Sequence, residues 1–213
     1  NRRNGGRGKT DLQRNGSCAT LLPAYGGFMT AARISLLFNG LFVGLVAALH
    51  GLRPDVDPSW RFISEYAVGK YGWLMQAAFV SLAVANVATW RTIRDSLQTK
   101  WGKAGSILFL VGTCGLLLAA AFATDPVNTP PELQTTSGKL HSLGGALGLL
   151  SFIGTVIFSV RLLCTESWRP VRTAVWIATA ILVVGFLISF FGIAALAAAN
   201  DGVFSPATPV GWP

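Results

Sequence analysis

Five stretches of roughly 18–25 residues recur along this chain with almost no charge inside them, the length an α-helix needs to cross a hydrocarbon core of about 30 Å. They fall at about residues 33–52, 72–90, 104–123, 142–161 and 174–198. Backbone polar groups in lipid must be satisfied internally, so each segment is either a helix or a strand of a closed barrel. The alternating strands of about ten residues that a barrel requires are absent. Only 12% of the 213 residues are charged and the mean hydropathy is +0.52, whereas a soluble domain carries about a quarter charged residues. The expected fold is therefore all-α, a polytopic transmembrane bundle of five spans over residues 33–198. A basic, glycine-containing arm (1–32) precedes the bundle and a polar tail (199–213) follows it. The arm does not read as a cleaved signal peptide, because its basic stretch leads into a segment containing proline and glycine.

The charges that remain are sorted by side. Thirteen of the seventeen Lys and Arg flank one set of span ends: Arg2, Arg3, Arg7, Lys9, Arg14 and Arg33; Arg91, Arg94, Lys100 and Lys103; Arg161, Arg169 and Arg172. Arg53, Arg61, Lys70 and Lys139 lie at the other ends. The positive-inside rule places the N-terminus in the cytoplasm and loops 51–71 and 124–141 outside the cell membrane. The net charge of +8 then serves topology and anionic headgroups. No basic patch with interleaved aromatics points to nucleic acid. Trp73, Trp90, Trp101, Trp168 and Trp176 fall near predicted interfaces, where indole rings anchor helices.

Inside the spans the sequence reads as packing. Gly40 and Gly44, Gly144 and Gly148, and Gly115 with Ala119 have the spacing that lets helix backbones approach. Asn39, Gln76 and Asn86 are the main polar side chains there and are expected to bond between helices. No ionisable residue sits deep in a span, which argues against an ion carrier or proton pump. Cys18, Cys114 and Cys164 avoid the outer loops, so no disulfide is expected, and no Cys/His spacing suggests a structural zinc site.

The reactive groups are in the two polar runs 50–73 and 124–141, which hold both histidines and five of the nine acidic residues. The first runs Pro54-Asp55-Val56-Asp57-Pro58, then Ile63-Ser64-Glu65-Tyr66, then Gly69 and Tyr71-Gly72-Trp73. Ser64 is placed to cap a short helix that presents Glu65. The second opens on Thr124-Asp125-Pro126 and closes on Ser137-Gly138 before His141. If the helices pair as hairpins, these loops meet on one membrane face. Glu65, Asp125 and His141 are then candidate catalytic groups, and His50, Asp125 and His141 candidate metal ligands. Arg53, Asp57, Arg61, Ser64, Tyr66 and Trp73 are candidates for binding a lipid or small molecule. Residue by residue there is a plainer reading: His50 ends a helix, Asp125-Pro126 stops one, Glu65 pairs with Arg61, and His141 bonds to loop carbonyls.

The strings RPDVDPSWRFISEYAVGKYGWL, FATDP and SGKLH, in that order, resemble the bacterial and archaeal membrane family called domain of unknown function 998. The resemblance covers roughly residues 33–198 and implies a compact helical bundle without an established activity. It also implies six spans, where five are found here; the tail DGVFSPATPVGWP is too polar and proline-rich for a sixth. More loosely, the loop residues are similar to the alkaline-ceramidase type of membrane hydrolase. That likeness implies a metal-dependent attack on a lipid amide or ester, but those enzymes use three histidine ligands and this chain has two histidines. The expected function is a multi-pass protein that binds a lipid or small molecule, or serves as an accessory to a partner membrane subunit. Its polar site is on the outer face, with the hydrolase as alternative. No residue pattern names a cofactor.

Overall fold

The computed structural model describes the backbone of residues 16–207 and the side chains of residues 29–207. Five long helices follow one another: α1 Gly16–Leu52, α2 Gly72–Ile93, α3 Lys100–Ala121, α4 Thr136–Leu163 and α5 Arg172–Ala199. Each contains a stretch long and apolar enough to cross a membrane. No strand occurs among the described residues. α1 begins well before its apolar stretch, Met29–Leu52, so residues 16–32 of the expected arm are helical. Residues 1–15 and 208–213 lie outside the described residues.

Chain neighbours pack in sequence, α1 on α2, α2 on α3, α3 on α4 and α4 on α5, and the α3–α4 contact is the most extensive. Glycine explains that last contact. A Cβ at Gly154 would stand 2.5 Å from the Phe109 nitrogen and 2.6 Å from the Gly105 oxygen. One at Gly144 would stand 2.7 Å from the Ala119 nitrogen and the Gly115 oxygen. The backbones touch, which is how membrane helices gain dispersion energy when lipid removes the hydrophobic drive between them. Gly105, Gly112 and Ala119 recur every seven residues on α3, the repeat of a left-handed helix pair.

Two of the glycine expectations are corrected. Gly40, Gly44 and Gly148 have nothing within 4 Å of a would-be Cβ, so the first-span pair faces outward and only Gly144 of the fourth-span pair is at a helix contact. Of the polar span residues, Asn86 does bridge helices, donating to Thr113 Oγ1 at 3.3 Å. Asn39 instead donates to the Ser35 carbonyl of its own helix.

The side-chain core is split between the two ends of the bundle. At the loop end Leu49, Val56, Tyr66, Met75, Ala78 and Phe79 cluster. At the basic end Ile93, Leu97, Phe109, Phe158 and Leu162 do. α5 has no buried residue. It leans on α4 through Phe186, stacked 3.9 Å from Phe152.

Candidate functional site

α1 ends at Leu52, and the next nineteen residues fold against the ends of α1 and α2 by satisfying one another. Arg53 is the hub of the first half. Its Nε and Nη2 grip Asp55 at 2.8 and 2.7 Å, and Nη1 donates to the Val68 and Lys70 carbonyls. The grip holds the Asp55 carboxyl below the usual carboxylate range. The Ser59 N–H does the same to Asp57, whose Oδ1 accepts it at 2.9 Å. Tyr66 is fully buried, donates to the Val56 carbonyl, and stacks obliquely on the His50 ring at 5.2 Å. Burial pushes its phenol pKa up.

The short 3-10 turn Ile63–Ala67 presents Glu65, as expected, but Phe62 rather than Ser64 stands at its cap. The Phe62 N–H donates to Glu65 Oε1 at 3.2 Å, so the acid itself closes the turn. Glu65 is 1% exposed and its other oxygen accepts from three donors. Two are Arg61 nitrogens, Nη2 at 2.6 Å and Nε at 3.0 Å. The third is the Val127 N–H at 3.1 Å, which belongs to the second loop. The two loops therefore do meet at one end of the bundle, and Glu65 is the joint.

The second loop is built onto the start of α4. Thr135 caps that helix, its Oγ1 accepting the Gly138 N–H at 3.0 Å and donating to Asp125 Oδ1 at 2.8 Å. Asp125 Oδ2 accepts the Thr135 N–H at 2.8 Å. A carboxylate at a helix N-terminus is favoured by the macrodipole, and it sits so close to Gly138 that a Cβ there would collide with it. This cap starts α4 at Thr136, six residues before the apolar run suggests. Ser137 Oγ donates to the Ala123 carbonyl. One turn on, His141 Nδ1 lies 3.0 Å from the Ala119 oxygen and 2.8 Å from the Phe122 oxygen. Both neighbours are acceptors, so Nδ1 carries the proton, and His141 closes the C-terminus of α3. In the neutral ring Nε2 is then a lone-pair acceptor, and it has no partner among the described residues.

Between the loops and α4 lies a cavity of about 540 Å³, lined on the loop side by Phe62, Ser64, Glu65 and Asp125 and on the helix side by His141 and Ser142. The hydroxyls of Ser64 and Ser142 take no hydrogen bond from the described residues. The tail beyond α5 reaches the same place. Asn128 Nδ2 donates to the Phe204 carbonyl at 2.7 Å, and its Oδ1 accepts the Phe204 N–H at 2.9 Å. Phe204 also meets the Phe62 ring edge-on at 5.7 Å.

Of the expected catalytic set, Glu65, Asp125 and His141 all line this cavity. Of the expected binding set only Ser64 does. Arg53, Asp57, Arg61 and Tyr66 spend their polar atoms holding the first loop together, and Trp73 is 66% exposed on the flank of α2. The expected metal group is not assembled: among the described residues no three of His, Cys, Asp and Glu stand close enough to hold an ion. His50 lies against Tyr66 and the Val46 carbonyl, on the first loop's side, while Asp125 is turned to Thr135. Phe62, Asn128 and Ser142 also line the cavity and lie outside the residues the sequence pattern marks. No local motif marks them, and the partner of Asn128 is 76 residues away.

A family model described as "Protein of unknown function (DUF998)" matches residues 36–211, from the middle of α1 through the segment that follows α5. No curated protein and no solved structure matches the chain.

Proposed function

The chain belongs to the DUF998 family, whose function is unknown, and we propose that it is a multi-pass membrane protein that binds an amphiphile with an uncharged, hydroxyl-bearing headgroup. The site is the cavity between the two loops, on the extracytoplasmic face if the basic ends of the helices are inside. The observation that carries this reading is the division of labour among its polar groups. Both charged groups on the wall already have partners in the protein: Glu65 pairs with Arg61, and Asp125 accepts hydrogen bonds from the cap of α4. What remains unpartnered is neutral: His141 Nε2 as acceptor, the Ser64 and Ser142 hydroxyls and the Gln134 amide. A hydroxyl headgroup matches these, whereas a phosphate would find no free cation and two carboxylates.

The volume is within the roughly 300–1,000 Å³ of small-molecule sites. Ser142 and Gly145 line the cavity from the exposed side of α4, so a chain attached to the headgroup leaves sideways into lipid. A test is native mass spectrometry in mild detergent with added diacylglycerol as probe. Ser142→Trp fills the mouth from an exposed position, and His141→Phe removes the acceptor. Retention of diacylglycerol by wild type and loss from both variants is expected. Equal retention by wild type and Ser142→Trp would sink the reading.

A further inference from the structure

At the opposite end of the bundle a second concavity of about 590 Å³ runs along α2. Its wall on α2 is made of Ala83, Val84, Val87 and Ala88, and α1 contributes Ala31 and Ile34. The buried alanines, Ala83 at 2% and Ala88 at 6% exposed, make it a groove, because a larger residue at either position would fill it. From Arg91 at one end to Ala83 at the other is eight residues of helix, about 12 Å at 1.5 Å per residue. Ser35 bonds to Thr89 at 2.7 Å, which sets Arg91 and Thr30 at the basic end of the bundle. Leu117 of α3, four residues before the loop end of that helix, closes the groove on its far side.

Arg91 is exposed and pairs with no carboxylate among the described residues. Among the described residues only Asp95 and Glu166 lie at this end, and they pair with Arg94 at 3.5 Å and Arg169 at 3.0 Å. The groove is thus apolar along its length with one uncompensated cation at its mouth. An apolar helix of a second copy would cover the walls and leave Arg91 without a counter-charge. An anionic lipid satisfies both ends at once.

We propose that the α1–α2 groove binds one anionic phospholipid of the leaflet on the basic side, an acyl chain lying along Ala83–Ala88 and the phosphate on Arg91. This site is separate from the cavity between the loops and does not depend on it. It also gives the excess of positive charge on this side a specific address beyond fixing topology.

The experiment is lipid titration by native mass spectrometry, comparing phosphatidylglycerol with phosphatidylcholine of the same chains. Wild type is expected to favour phosphatidylglycerol. Arg91→Gln is expected to reduce that preference roughly five-fold, as one basic residue at an anionic surface implies, and Arg91→Lys to restore most of it. Val87→Trp, built at a position already 40% exposed, fills the groove and is expected to lower occupancy by both lipids. An unchanged preference in Arg91→Gln would overturn the proposal. So would a wild-type dimer that Val87→Trp dissociates while lipid binding is unchanged, since the groove would then belong to a second copy.

Discussion

Glu65→Gln is the most informative single change at the loop end, because it keeps the shape of a fully buried side chain and removes only its charge and one acceptor. The carboxylate satisfies four donors, three on Oε2 and one on Oε1. A glutamine carbonyl placed at Oε2 keeps the Arg61 and Val127 contacts in neutral form. Its NH₂ group then faces the Phe62 N–H, donor against donor. Exposed ion pairs contribute about 0–1 kcal/mol, whereas removing one partner of a buried pair costs about 3–5 kcal/mol. Glu65 is 1% exposed but Arg61 is 22% exposed, so water can partly replace the lost partner. The expected cost is about 2–3 kcal/mol, between those limits. Equilibrium unfolding in mixed mild and denaturing detergent measures it, and a cycle with Arg61→Gln isolates the pair. Coupling of at least about 1 kcal/mol is expected for residues in direct contact, together with faster hydrogen exchange at the Val127 amide. If the two substitutions add without coupling and Val127 exchanges as before, Glu65 is not the joint between the loops and the account of the site fails.

Gly154→Ala must separate α3 from α4, since its Cβ would lie 2.5 Å from the Phe109 nitrogen; a loss of about 1–3 kcal/mol is expected. Gly40→Ala, with open space around it, is expected to stay within about 0.5 kcal/mol of wild type in the same unfolding assay. Asn128→Gly preserves a backbone at φ 68° while removing both bonds to Phe204. Each is worth about 1 kcal/mol, so chymotrypsin should cut after Phe204 faster with the bundle's stability unchanged. Asp57 and Asp55 have folded pKa values below their unfolded ones, so their contribution is present above the unfolded value of about 3.9 and is lost as pH falls through the folded value. Trp60 fluorescence should therefore report loosening of the first loop only below about pH 4, with a smaller change in Asp57→Asn; an identical titration in that variant would remove Asp57 from the explanation.

The spans were legible because a membrane helix is written in consecutive residues: five apolar runs gave five helices with shifted ends. The six-residue shift at the start of α4 comes from Thr135 and Asp125. A Ser-Gly-Lys string reads as loop by hydropathy, and the cap that makes it helix is a pair of hydrogen bonds to a residue ten positions earlier. Glycine spacing was the poorer guide. The chain carries 24 glycines, and a glycine pair four apart occurs both where helices touch and where they face lipid. Gly105, Gly112 and Gly154 lie on the closest contact, with a seven-residue repeat on α3, and are no more conspicuous than Gly40 and Gly44. Arg61–Glu65 was readable from its four-residue spacing. Glu65–Val127 and Asn128–Phe204 were not, because backbone groups on a distant segment leave no residue-type signature.

The distribution of polar partners changes what a loss-of-function variant at the loop end would mean. Both loops hold enough acids, bases and hydroxyls to suggest chemistry, yet Arg53, Asp55, Asp57, Arg61, Glu65, Asp125 and Ser137 are each committed to another part of the protein. Substituting any of them opens the loops, so lost binding in such a variant is explained by structure before any direct contact is invoked. Only the uncommitted groups separate the two causes. Ser64→Ala and Ser142→Ala remove hydroxyls that bond to nothing among the described residues, so they should leave stability within about 0.5 kcal/mol of wild type. If both also leave diacylglycerol affinity untouched, the cavity does not read a hydroxyl headgroup. If affinity falls while stability holds, the ligand is in direct contact with the loops' unpaired groups.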